Sequence, residues 1–220
     1  MTNLRNILSN TTFRIISTPS NDTSFERISA LLIGMGIKVD SIEKYEAKMI
    51  PTNPSLGCNL SHSGALVHYP ETGYLCVLED DVDIFIRFDD ETLDIEFPDD
   101  ATDKWDSIYL GLSGWGYFED EPTKARLNNL FCDESEILSE IFIRVRNMFS
   151  AHAIIYMNKE YTDKISSEIR LNSIPNYIEP NDVSNAKSQM NNYCVALRIP
   201  LFYQMGEHEY CTKIEFNGKR

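Results

Sequence analysis

The sequence predicts an α/β fold, and three observations carry that reading. The chain opens strand, helix, strand, the pattern of a parallel βαβ unit. Further on, the short apolar run Tyr74-Leu75-Cys76-Val77-Leu78 passes straight into Glu79-Asp80-Asp81-Val82-Asp83, with four acids in five positions. A run of that length fits a buried strand. Its acidic end then sits at the carboxyl edge of a sheet, where open α/β folds bind their ligands. Third, the 220 residues are 42% hydrophobic and 25% charged, enough to bury a core without staples. No repeat, linker or composition break divides them, so residues 1–220 are taken as a single domain.

The elements follow in order. Residues 1–12 are polar and lack the apolar centre of a signal peptide. Phe13-Arg14-Ile15-Ile16-Ser17 is the first predicted strand, followed by a loop, Thr18-Pro19-Ser20-Asn21-Asp22, that offers helix caps. Phe25, Ile28, Leu31 and Leu32 recur at helical spacing until Gly34-Met35-Gly36 stops the helix. A second strand is expected over 37–42. Residues 51–57 are rich in turn formers, and a short helix is expected over 58–69. After the acidic strand, residues 87–104 read as an irregular acidic segment with one short strand, 92–97. Another buried strand is expected over 106–111. The glycine- and aromatic-rich stretch 112–122 suits either a loop that packs on a ligand or a bent hairpin. Strands at 141–146 and 151–157 are expected to pair as a hairpin. Helices over 158–171 and 182–191 follow, then a last strand over 193–197 and a polar tail after Gln204.

Composition excludes several functions. The formal charge of -14, from 34 acids against 20 Lys and Arg, disfavours nucleic acid and anionic lipid as partners. No apolar run approaches the roughly 20 residues of a membrane span. The five cysteines are odd in number and show no C-x-x-C spacing, which argues against a disulfide or zinc framework. Inert thiols in a reducing, cytoplasmic protein are the expectation.

Carboxylates crowded at one strand end repel each other unless a cation sits among them. Hard ions such as Mg²⁺ or Mn²⁺ take oxygen ligands and also bind phosphates. The acidic edge is thus either a cation site for a phosphate-bearing ligand or a solvated turn.

Three landmarks stand in fixed order: Gly57-Cys58-Asn59-Leu60-Ser61-His62, Val77-Leu78-Glu79-Asp80-Asp81, and His152-Ala153-Ile154-Ile155-Tyr156. Together they resemble glycosyltransferase family 25, which includes bacterial lipopolysaccharide galactosyltransferases and collagen hydroxylysine galactosyltransferases. Softer agreement comes from Phe25-Glu26-Arg27 through Gly36-Ile37, from Asp106 to Gly111, from Asn181-Asp182 and from Pro200 to Gln204. The resemblance spans about residues 13–204. Ala151 and Ile154 depart from the family's usual hydroxyl residue and tyrosine. Ser17-Thr18-Pro19-Ser20 stands where the family usually has Asn-Leu-Asp-Arg.

The resemblance implies a GT-A type nucleotide-diphosphosugar transferase fold, with a single mixed sheet flanked by helices. It also implies transfer of galactose or glucose from a UDP-sugar to a hydroxyl of a glycan or other acceptor, with Mn²⁺ or Mg²⁺. Asp81 and Glu79 are then the metal ligands. Thr18, Arg27, Ser61, His62, Glu79 and Asp80 are the donor-binding candidates, and Asp182 and His152 the catalytic ones. Asp182 is the leading base for the acceptor's proton, with a helix N-cap as its alternative role. Asp83 is read as surface. His208 lies where related folds often supply a third metal ligand. The location implied is cytoplasmic, with membrane contact only through the acceptor. Two other readings compete: a degenerate transferase-like domain that binds without turnover, and a Mg²⁺-dependent nucleotidyl or phosphoryl transferase. The second would need a glycine-rich phosphate loop, which the sequence lacks.

Overall fold

A computed structural model of the chain describes residues 1–84, 90–98, 102–111, 126–127, 130–131, 134–139, 141–174, 177–197 and 200–205. The expected 112–122 loop and His208 lie outside these residues, as do Cys132 and Cys211.

An eight-stranded mixed sheet forms the centre. Its strands, in chain order, are β1 (Thr11–Ser17), β2 (Ile42–Glu46), β3 (Tyr74–Glu79), β4 (Ser107–Tyr109), β5 (Glu134–Ile137), β6 (Phe142–Arg146), β7 (Ala153–Tyr156) and β8 (Cys194–Leu197). Across the sheet they run β5-β6-β8-β4-β7-β3-β1-β2. β1 is parallel to both β2 and β3, as the opening βαβ pattern predicts. β7 is antiparallel to β3 and β4. β4 and β8 are parallel, and β6 is antiparallel to both β8 and β5.

Helices cover both faces, so inner strands are buried on both sides and read as continuous apolar runs. In β3, alternate residues enter different cores. Cys76 and Leu78 pack with α1 (Leu4–Ser9) and α2 (Asp22–Gly34). Leu75 and Val77 pack on the side of α3 (Pro54–Ala65) and α4 (Lys159–Leu171). All four are at most 1% exposed. Each fully buried aliphatic side chain contributes roughly 1.5–3 kcal/mol, so the strand that aims the acids is firmly held.

Several expected boundaries move for identifiable reasons. The second strand starts at Ile42 rather than at residue 37. Gly36, at φ 90°, turns the chain through the left-handed region, and the Ile37 N–H bonds the Leu32 carbonyl. This Schellman-type stop consumes Ile37, and Val39–Ser41 forms a 3₁₀ turn. The next helix is Pro54–Ala65 rather than 58–69. Asn53 caps it by accepting from the Leu56 N–H, and Pro54 occupies the first turn, where its missing N–H costs nothing. The acidic segment holds a short helix, Asp90–Asp94, and a two-residue strand, Glu96–Phe97, that pairs with Thr2–Asn3. The polar N-terminus forms α1, which buries Leu4, Ile7 and Leu8.

The expected hairpin between β6 and β7 does not form. β8 and β4 separate them, because both of these wholly buried strands need partners on each side. Nor is β8 the last strand. Phe202–Gln204 follows and pairs antiparallel with Val82–Ile84, just past the acids. No helix among the described residues is long and apolar enough to cross a membrane.

Candidate functional site

Side-chain parity explains where the acids go. Successive residues of a strand face opposite sides. Glu79 follows Leu75 and Val77 toward α3, and Asp80 turns to the α2 side. Asp81 returns to the side of Glu79.

On the α3 side, Glu79 Oε1 lies 2.8 Å from His62 Nε2. Burial opposes a charge on His62, but hydrogen bonds to Cys58 and Glu79 outweigh it and push its pKa up to about 10. The same pair holds Glu79 below the usual carboxylate range, against the effect of its own burial. The two form an imidazolium–carboxylate pair. Gln204 Nε2 donates to Glu79 Oε2 at 3.1 Å and to Asp81 Oδ2 at 3.0 Å. One amide thereby bridges two like charges. Asp81 Oδ1 is buried and has no hydrogen-bond partner among the described residues. Burial, then repulsion from Glu79, raises the proton affinity of Asp81 despite the Gln204 bond.

Asp80 has a different task. Its Oδ2 accepts from Ser17 Oγ at 3.0 Å, Asn21 Nδ2 at 3.2 Å and the Thr18 N–H at 3.4 Å. It therefore ties the loop after β1 to the end of β3. Arg27 lies beneath the turn. Its Nη2 donates to the carbonyls of Val82 at 2.8 Å and Asp80 at 3.3 Å, and its Nη1 is 3.6 Å from Asp83.

One helix face builds the opposite wall. Gly57 and Ser61 are four residues apart and meet the chain at Lys48–Ile50. A Cβ on Gly57 would stand 2.4 Å from the Lys48 carbonyl oxygen, so only glycine permits this approach. Ser61 Oγ accepts from the Lys48 N–H and donates to the Gly57 carbonyl, both at 2.7 Å. Its hydroxyl is fully engaged in holding the wall. Asn59 donates to the Glu179 carbonyl at 2.7 Å and to Ser173 Oγ at 2.9 Å. That anchors the start of α5 (Asn181–Gln189) beside Cys58, whose Sγ is 3.7 Å from Asn181 Oδ1.

These walls enclose a cleft of about 290 Å³ lined by Thr18, Ser61, His62, Glu79, Asp80 and Asp81, with Ile16, Met49, Ile50 and Pro51 as apolar lining. The structure thus gathers six of the sequence-derived site residues in one place. Arg27 is not in the lining and holds the backbone under the acids instead. Asp182 sits in the first turn of α5, close enough to Glu79 and His62 for their charges to act on it. Burial, then the Glu79 charge, raises its proton affinity against the bond from the Val183 N–H. His152 lies behind the site at 1% exposure, its Nδ1 3.3 Å from Ser150 Oγ and its ring against Gly111. Burial lowers its pKa to about 4. Its carbonyl accepts from the Glu79 N–H at 2.9 Å, so it positions the strand end.

Two groups at the cleft carry no role in the sequence reading. Gln204 belongs to the Pro200 to Gln204 likeness, but its task is not legible there, because its partners lie more than 120 residues away. Cys58 is exposed, whereas Cys76 and Cys194 are the buried, inert thiols expected. Its signal was its spacing: four residues before His62, on the same helix face.

Compared with known proteins, the chain matches no family model and no curated sequence. The likeness noted above rests on its motif residues alone.

Proposed function

We propose that this protein is a metal-dependent glycosyltransferase of the family 25 kind. It would move galactose or glucose from a UDP-sugar to a hydroxyl of a glycan or similar acceptor, on a GT-A type sheet. The observation that carries the reading is Asp81, whose buried Oδ1 has no partner among the described residues, at the edge of a cleft that also presents Glu79 and Asp80. An unpaired buried carboxylate oxygen beside a second carboxylate is costly, and a hard divalent cation relieves that cost. Mn²⁺ or Mg²⁺ therefore fits, with Asp81 as the direct ligand and Glu79 as its neighbour. Bound there, the ion supplies positive charge for the departing diphosphate.

The chain's own residues do the rest. The apolar lining at Ile16, Met49, Ile50 and Pro51 suits the flat face of a base. At about 290 Å³ the cleft lies at the lower edge of ligand-pocket sizes, which matches the nucleoside end of the donor. Asp80 fixes the Thr18 loop at the cleft wall. Asp182, with its raised proton affinity, would accept the acceptor's hydroxyl proton.

A second reading has its own support. Both Glu79 oxygens and Asp80 Oδ2 are already taken by protein groups. A transferase-like domain that binds a nucleotide sugar without turnover would look the same. Release of UDP from a panel of UDP-sugars, with Mn²⁺ and with chelator, separates the two. Transfer requires metal-dependent release that disappears in Asp81→Ala while its melting curve persists. Binding of a UDP-sugar with no release from any donor would establish the binding domain instead.

A further inference from the structure

Cys58, His62 and Glu79 each offer one ligand atom, and these atoms all lie within 4.8 Å of one another. They form a thiolate, imidazole and carboxylate set, unlike the all-oxygen pair of Glu79 and Asp81. We propose that these three residues bind a zinc ion at the α3 side of the cleft. Zinc accepts sulfur, nitrogen and oxygen ligands in tetrahedral sites, whereas Mg²⁺ and Mn²⁺ prefer oxygen.

The geometry needs only a small adjustment. Zinc holds nitrogen and oxygen at ~2.0–2.1 Å, which sets tetrahedral neighbours roughly 3.3 Å apart. His62 Nε2 and Glu79 Oε1, now at 2.8 Å, must part by about half an ångström. Two ligands come from one rigid helix turn, at i and i+4. The third is the end of a strand whose preceding residues are buried. Cys58 is exposed, so a water reaches the fourth position.

A second observation points the same way. Asn181 is 6% exposed, its Oδ1 faces Cys58 Sγ at 3.7 Å, and its buried Nδ2 has no partner among the described residues. Turned over, that amide donates an N–H to a thiolate, the outer-shell bond that metal-bound sulfur favours. Binding carries no redox change. Cys58 gives up its thiol proton and His62 the proton it shares with Glu79. Both go to solvent, and the carboxylate binds as it stands. The inference does not depend on sugar transfer.

The test is titration of the full chain with Zn²⁺ against a chromophoric chelator, together with Co²⁺ substitution. The expected result is one zinc per chain and a thiolate-to-cobalt charge-transfer band in the near ultraviolet. Cys58→Ser, at an exposed position, should abolish the band and weaken zinc binding at least ~10-fold. Asp81→Asn should keep both. Failure of the parent chain to take up zinc overturns the proposal. So does an unchanged affinity and band in Cys58→Ser, which would assign the metal to another thiol. Loss of zinc in Asp81→Asn would move the ion to the oxygen pair and also overturn it.

Discussion

Replacing Gly57 by alanine sets two effects of known size against each other. Alanine is favoured over glycine by ~0.8–1 kcal/mol within a helix. Against that, the new methyl carbon stands 2.4 Å from the Lys48 carbonyl oxygen and 3.3 Å from the Ile50 nitrogen. Both are backbone atoms and neither can rotate away. The wall of the cleft must lift, which costs ~1–3 kcal/mol as overpacking. The 2.7 Å bond from the Lys48 N–H to Ser61 is lost with it, a further ~0.5–1.5 kcal/mol. The net expectation is destabilisation by ~0.5–3.7 kcal/mol. At ~2–4 °C per kcal/mol for a chain of this size, Tm falls by roughly 1–15 °C. Gly34→Ala is the internal control. It lies at the end of α2 with nothing within 4 Å of the added carbon, and should gain up to ~1 kcal/mol. Urea and thermal unfolding of both variants supply the readout. A Gly57→Ala chain as stable as its parent, beside a Gly34→Ala chain that behaves as expected, would refute the reasoning.

Three further outcomes follow from the acid cluster. The His62 pKa is raised from 6.5 to about 10 by its partners despite burial, so its contribution is complete below pH 6.5 and fades as pH rises toward about 10. The Glu79 pKa is lowered, so its contribution is present above pH 4.5 and is lost in acid. Urea midpoints should therefore decline from pH 6.5 to 10 in the parent, and His62→Gln should remove that slope while costing about 3–5 kcal/mol at neutral pH; equal slopes would contradict the ion pair. Asp81→Asn keeps an acceptor for Gln204 and relieves repulsion with Glu79, so its stability should stay within ~0.5 kcal/mol of the parent or rise. Metal-dependent UDP release should meanwhile fall at least ~100-fold, and a variant that retains release would remove Asp81 from the metal role. Asp182→Asn can still accept from the Val183 N–H. It should fold normally and lose ~10²–10⁴-fold in kcat with little change in donor KM; unchanged kcat would remove Asp182 as the base and leave it an acid in the first turn of α5, whose N-cap is Pro180.

The legible part of the molecule is the part written locally. The apolar run of β3 and its acidic end, the helix at α5, and the cap of α4, where Asn158 Oδ1 accepts from the Tyr161 N–H at 2.8 Å, all announce themselves within ten residues. So do Gly57, Ser61 and His62, although Ser61 proves to hold the cleft wall by the very hydroxyl that suggested a ligand contact. β2 was harder. It is an edge strand with no fully buried residue, so its sequence carries little apolar signal. Pairing order was not legible, because β7 and β8 are wholly buried runs, β6 is mostly buried, and burial does not name a neighbour. The Ser17–Ser20 stretch departs from the family's usual Asn-Leu-Asp-Arg. It supplies Ser17 and Thr18 as hydrogen-bond donors to Asp80, contacts visible only when β1 and β3 lie side by side.

The Phe202–Gln204 strand bears on timing. Glu79 and Asp81 emerge early in the chain, and the amide that reconciles them arrives 125 and 123 residues later. Until that late segment docks on Val82–Ile84, the two carboxylates face each other with no donor between them. A contact spanning so much chain is slow to close. The two carboxylates thus depend on a partner encoded far downstream, and a chain cut before Phe202 would keep them side by side without the shared amide.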